Sequence, residues 1–209
     1  MNEYVWISDA IPESTLILRV NTDIVASNED AAIEGQRLNQ DGKPVPAELC
    51  PKKIWGDGTA PAFKTMPDLF WAMSQWIVSK RARDVLVNFD LGGGALNPVS
   101  GGVWQSDRST RVPGDYFCWI FGNAKRAVLP DQSKNLGPPS VPGLWWKLPS
   151  RLNDEDVAVS RVALTGPDVW IDKMLFKSLF LRVRWVTRWI ARACATPSNC
   201  IAVVFSKGQ

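Results

Sequence analysis

Apolar positions along the chain fall in short blocks, and their spacing shifts between two residues and three or four. Residues 4–7 (YVWI) and 14–20 (STLILRV) are short, apolar and rich in β-branched side chains, which predicts two strands. Asn28 precedes an acidic stretch to residue 38 and is placed to cap a helix there. Residues 39–67 are rich in Pro, Gly and Lys without a clear period and read as irregular surface chain. Leu69, Phe70 and Trp71, then Trp76, Ile77 and Val78, predict two short strands around Ser74 and Gln75. Ser79 is placed to cap the next helix, where Ala82, Val85, Leu86 and Phe89 fall at i, i+3, i+4 and i+7. That stripe ends near Asp90, and Gly92, Gly93 and Gly94 are expected to supply the left-handed stop of the helix.

Beyond it, LNPV, GGVW, YFCWIF and KRAVLP within residues 96–130 predict β-structure broken by Gly, Pro and Asp turns. Residues 131–143 (DQSKNLGPPSVPG) read as a connector, and LWWKL at 144–148 as a strand or an aromatic anchor. Val157, Val159, Val162 and Leu164 have the spacing of an alternating strand. Residues 179–194 predict a helix with Trp185, Val186, Trp189, Ile190 and Ala193 on one face and Arg184, Arg188 and Arg192 on the other. CIAVVF at 200–205 closes the chain as a buried strand. Helices and strands mix without a β-α-β rhythm, so the expected fold class is α+β: a mainly antiparallel sheet with a few helices packed on it. Residues 1–65 are read as an acidic, partly irregular segment packed on an α+β core domain of residues 66–209, or the two as one domain.

Composition narrows the chemistry. The 209 residues include 11 tryptophans and no histidine. Ser-His-Asp and Cys-His nucleophile systems and HExxH metal sites all need an imidazole that titrates near neutral pH. The four cysteines form no CxxC, and without histidine they are read as buried or incidental thiols in a reducing compartment rather than zinc ligands. The triple glycine follows a predicted helix, where carbonyls point outward. A phosphate loop would place it before one, so the glycines are read as a joint. No catalytic residue, cofactor or metal is expected. The N-terminus lacks a basic leader followed by a long apolar run, and no apolar run is long enough to span a bilayer. The expectation is a cytoplasmic protein without membrane insertion.

Charge is uneven along the chain. Residues 1–41 carry eight acidic groups against Arg19 and Arg37, a balance of −6, whereas residues 173–209 carry seven basic groups and no acidic one. Glu29, Asp30 and Glu34 on the predicted acidic helix are therefore candidate partner contacts. Trp145 and Trp146 join them, because adjacent residues on a strand face opposite ways and one of the pair is left for an interface. Arg184, Arg188 and Arg192 form an alternative face for an anionic partner, with a solvated basic surface as the plainer reading. Asp154, Glu155 and Asp156 are read as an acidic turn before a strand. Aspartates following prolines (Asp68, Asp131 and Asp168) are read as turn or cap residues.

The stretches DLFWAMSQWIVSKRARDVLVNFDLGGGALNPV and LWWKLPSRLNDEDVAVSRVALTGPDVW, over about residues 66–180, resemble the family-eleven immunity proteins of bacterial polymorphic toxin systems. The resemblance lies in the VS strand end before an amphipathic helix, the glycines before a PV strand, and the D-x-D-V-A-V-S and G-P-D-x-W pieces. It implies an α+β protein that binds and neutralises a cognate toxin by steric occlusion, with no catalysis and no cofactor. It also implies that Asp154, Asp156, Gly166, Asp168 and Trp170 are scaffold. The chain departs from the family in its basic residues 182–209, and only residues 1–41 carry the negative charge to steer a cationic toxin. The alternative function is binding of nucleic acid or another anionic surface by the basic C-terminal helix, although no nucleic-acid partner is expected on the first reading.

Overall fold

The computed structural model describes residues 4–8, 14–139, 141, 143, 145–149, 152–153, 156–175, 178–183 and 200–203. The strands are β1 (Tyr4–Ser8), β2 (Val20–Thr22), β3 (Ile54–Gly56), β4 (Leu69–Ala72), β5 (Gln75–Ser79), β6 (Ala95–Pro98), β7 (Val103–Trp104), β8 (Arg111–Val112), β9 (Tyr116–Ile120), β10 (Ala124–Lys125), β11 (Val169–Asp172), β12 (Leu179–Val183) and β13 (Cys200–Val203). The helices are α1 (Asp23–Ser27), α2 (Glu29–Gln40) and α3 (Lys80–Leu86). Among the described residues they build three sheets, ordered β10-β11-β12-β1-β13, β2-β3-β7-β8 and β4-β5-β9-β6. The pairing is antiparallel except at β10–β11 and β3–β7. The fold is α+β and dominated by its sheets.

The alternation of side chains along each strand stacks the three sheets. In the β4-β5-β9-β6 sheet, Phe70, Ile77, Cys118 and Ile120 face one way, into a core shared with Val20, Ile54, Val103 and Val112 of the β2-β3-β7-β8 sheet. Leu69, Trp76, Val78 and Trp119 face the other way, packing on α3 and on Val169, Ile171, Leu179 and Leu181. The opposite face of that last sheet carries Val5, Ile7, Trp170 and Phe180, under Val128, Val157, Val159 and Leu175. The β4-β5-β9-β6 sheet is thus the middle layer, packed on both faces, and β4, β5 and β9 read as largely apolar runs.

The predicted strands at 4–7, 69–71, 76–78 and 116–121 and the helix from Asn28 all form. Four expectations need correction. Residues 14–20 hold a 3₁₀ turn at Ser14–Leu16, and only Val20 opens a strand. Here the chain crosses from one core, where Leu16 is buried, to another, where Val20 is buried, and it meets β4 only at a single parallel bridge between Ile17 and Trp71. Within the stretch expected to be irregular, Ile54–Gly56 is a strand between β2 and β7. Residues 179–183 are a strand rather than the start of a helix, because β1 and β11 pair with them from both sides; residues 184–194 lie outside the described residues. Val157 to Val159 are buried without alternation, and Arg161–Leu164 is a 3₁₀ turn that leaves Val162 exposed.

The glycine run is indeed a joint, but of another kind. The cap residue of α3, Val87, has φ −66, and Asn88 Nδ2 donates to the carbonyls of Asp84 and Val85. The helix is therefore closed before any glycine. Gly92, with φ +52, turns the chain further on, and Gly93 meets Gly122. A Cβ on Gly122, whose φ is +65, would lie 2.1 Å from the Gly93 carbonyl oxygen, so only hydrogen fits between the two backbones.

Candidate functional site

Helix α2 forms one wall of a groove on the described surface. Asn28 Oδ1 accepts from the Ala31 N–H at 3.0 Å and starts the helix, and Glu29 and Asp30 in the first turn suit its positive end. Ala32, Gly35 and Asn39 are its buried face. A Cβ on Gly35 would sit 2.9 Å from the Leu49 carbonyl oxygen, so glycine lets the helix lie close. Asn39 then fastens the helix to the middle sheet. Its Nδ2 donates to Gln75 Oε1 (2.8 Å) and to the Trp119 carbonyl (2.9 Å), and its Oδ1 accepts from the Phe121 N–H (2.8 Å).

Facing α2 across the groove is the tip of the β4–β5 hairpin. The cavity between them has a volume of about 720 Å³ and is lined by residues far apart in sequence, among them Ile17, Gln36 and Asn39, Met73 and Ser74, Phe121, Arg126, Trp145, and Ile171, Asp172 and Lys173. Ligand-binding cavities typically measure roughly 300–1,000 Å³. Ile17, Met73 and Trp145 on the rim are 57%, 46% and 45% exposed, three large apolar side chains facing solvent around one opening. Clustered exposure of this kind marks a binding surface more often than scattered single residues do.

Met73 is also strained. The hairpin turns on Met73 and Ser74, and the Ser74 N–H donates to the Ala72 carbonyl at 2.6 Å, closing a three-residue turn around Met73 with φ +58. An L side chain in the left-handed region costs about 1–2 kcal/mol that glycine avoids. Strain of this kind concentrates at functional positions. Beside it, the Ser74 hydroxyl is buried and has no hydrogen-bond partner among the described residues.

The polar lining is mostly satisfied. Arg37 forms a two-pronged pair with Glu34 (2.7 and 2.8 Å) and reaches Asp41 (3.3 Å), which Lys43 also meets. The Arg37 guanidinium holds the Glu34 carboxyl below its ordinary range. Asp172 is buried beneath the groove and accepts from the N–H groups of Ala127 (2.6 Å), Val128 (3.1 Å) and Met174 (2.8 Å). Burial pushes its pKa up, and the N–H donors and the nearby Arg126 oppose that shift. Arg126 and Lys173 line the opening and form no ion pair among the described residues.

Of the residues singled out in the sequence, Trp145 lies on this groove. Trp146 turns the other way, half-buried against the Val5–Phe180 core, its N–H donating to the Met174 carbonyl at 2.8 Å. Glu29 and Asp30 are exposed at the far end of α2, and Glu34 is engaged with Arg37; none of the three lines the groove. Arg184, Arg188 and Arg192, like Asp154 and Glu155, lie outside the described residues. Asp156 accepts from Asn153 N–H and Nδ2 and from Asn135 Nδ2, bonds that fix a loop. In the G-P-D-x-W piece, Asp168 and Arg182 form a buried pair (2.7 Å), and Asp168 accepts from the Asp90 N–H (3.0 Å). Arg182 also donates to the carbonyls of Leu164 and Gly166, and Lys125 Nζ lies 3.7 Å over the Trp170 ring. The sequence reading missed Ile17, Met73, Ser74, Arg126 and Lys173. Of these only Met73 left a local sign, a methionine where a two-residue hairpin turn favours glycine.

No protein-family model matches the chain, and no curated protein matches it. Among the described residues, no helix is long and apolar enough to cross a membrane.

Proposed function

We propose that this protein acts by binding a partner polypeptide in the groove between α2 and the β4–β5 hairpin, without performing a reaction on it. A toxin of the kind implied by the resemblance is the partner that we expect. One observation carries the reading. Met73 is held exposed in a strained backbone conformation, beside the exposed Ile17 and Trp145, around a single opening. Stability alone would favour glycine at Met73 and a polar side chain at Ile17. Tryptophan is among the side chains that dominate the binding energy of protein interfaces, which gives Trp145 the largest share.

The test is co-expression of this chain with the product of the neighbouring gene, scoring both cell survival and co-purification, for wild type, Trp145→Ala and Met73→Gly. Wild type should protect and co-purify. Trp145→Ala should weaken capture by about tenfold or more. Met73→Gly should weaken capture while its melting temperature stays level or rises, since glycine removes the strain. Capture at full strength by both variants, or none by wild type, would overturn the proposal.

A further inference from the structure

Charge around the opening states what kind of segment it accepts. Arg37, Lys43, Arg126 and Lys173 line the groove against Asp41 and Asp172. Arg37 and Lys43 are occupied by Asp41, and Arg37 also by Glu34. The Asp172 carboxylate is turned inward onto three backbone N–H groups. Among the described residues Arg126 and Lys173 form no ion pair, although the Arg126 charge acts on Asp172 beneath it. The sheet places them together: Lys125 and Asp172 are registered partners of the parallel β10–β11 pair, and Arg126 and Lys173 follow each directly. The Lys173 N–H, donating to the Lys125 carbonyl at 2.9 Å, holds the two chains in step. Two exposed cations stand side by side at the edge of the opening whose rim carries Met73 and Trp145.

Resting on the partner-binding reading above, we infer that the groove takes an acidic polypeptide segment, in which an apolar side chain seats between Met73 and Trp145 and an adjacent carboxylate meets Arg126 and Lys173. Charge-assisted bonds at such an exposed edge fix register and speed association, while the apolar anchor supplies most of the affinity.

Fluorescence polarisation with three labelled, end-capped octapeptides tests this on the full chain. One carries tryptophan followed by two glutamates, one tryptophan followed by two lysines, and one glycine followed by two glutamates. The first should bind at least about tenfold more tightly than either other, and raising the salt from about 0.05 to about 0.3 M should weaken it. Arg126→Glu combined with Lys173→Glu should reverse the preference between the two tryptophan peptides. Equal or tighter binding of the lysine peptide, an unchanged preference in the charge-reversed variant, or no binding of any peptide at about 1 mM would overturn the inference. So would a dimer in sedimentation that Trp145→Ala dissociates, because a second copy would then fill the groove. The toxin co-purification separates the two proposals. Capture sensitive to Trp145→Ala but indifferent to the charge reversal overturns the acidic segment alone, and capture indifferent to both overturns the groove itself.

Discussion

Replacing Asn39 by alanine removes the side chain that ties α2 to the middle sheet. Three bonds of 2.8 to 2.9 Å are lost together, leaving the Gln75 oxygen, the Trp119 carbonyl and the Phe121 N–H without that partner. Each such bond is worth about 1 kcal/mol net, and a buried group left bare costs about 1–3 kcal/mol. Asn39 lines the groove, so water can reach part of the gap, and the lower end applies: about 3 kcal/mol in all. In a chain of this size that corresponds to a fall in melting temperature of about 6–12 °C. Thermal unfolding followed by circular dichroism reads this directly. Gln36→Ala is the control, one turn earlier on the same groove wall, with an expected effect within about 0.5 kcal/mol. Hydrogen exchange over residues 29–40 should accelerate in Asn39→Ala and not in Gln36→Ala. An Asn39→Ala protein melting within about 2 °C of wild type would refute the view that this asparagine fastens the wall.

Arg182→Met should destabilise by about 3–5 kcal/mol in a denaturant titration, since it leaves the Asp168 carboxylate buried without its cation; adding Asp168→Asn should recover part of the loss, and a change under about 1 kcal/mol would show that the pair is not structural. Burial, helped by repulsion from Arg182, holds the Lys125 pKa down to about 8 against an ordinary 10.5. Between those two values the unfolded chain binds more protons than the folded one, so stability from this residue rises with pH across the window. Lys125→Met, compared with wild type by urea unfolding, should lose that rise; parallel curves from pH 7 to about 10.5 would contradict it.

Much of the local structure was legible because it rests on neighbours. Asn28 and Ser79 cap their helices through N–H groups three residues on, and side-chain alternation in Trp76, Ile77 and Val78 assigns opposite faces whatever lies beyond. The G-P-D-x-W piece was sensed as scaffold, yet the partner of Asp168 is Arg182, inside a stretch whose period read as helical. Two strand neighbours overruled that period. Strand geometry said only that one of Trp145 and Trp146 faces outward, and the tertiary structure decides that it is Trp145. Its acidic companions Glu29, Asp30 and Glu34 could not be placed, because nothing local tells which end of α2 borders an opening.

The sequence by itself determined the α+β class, the starts of α2 and α3, the β4–β5 hairpin and the absence of imidazole chemistry, each following from composition or from contacts within about four residues. Only the tertiary structure decided the layer order, the fate of residues 14–20 and 179–183, and the groove. Ile17, Asn39, Met73, Arg126, Trp145 and Lys173 come from six separate segments. They meet because three stacked sheets must bury both faces of the middle one, a condition met by the whole chain at once and written in no single stretch of it.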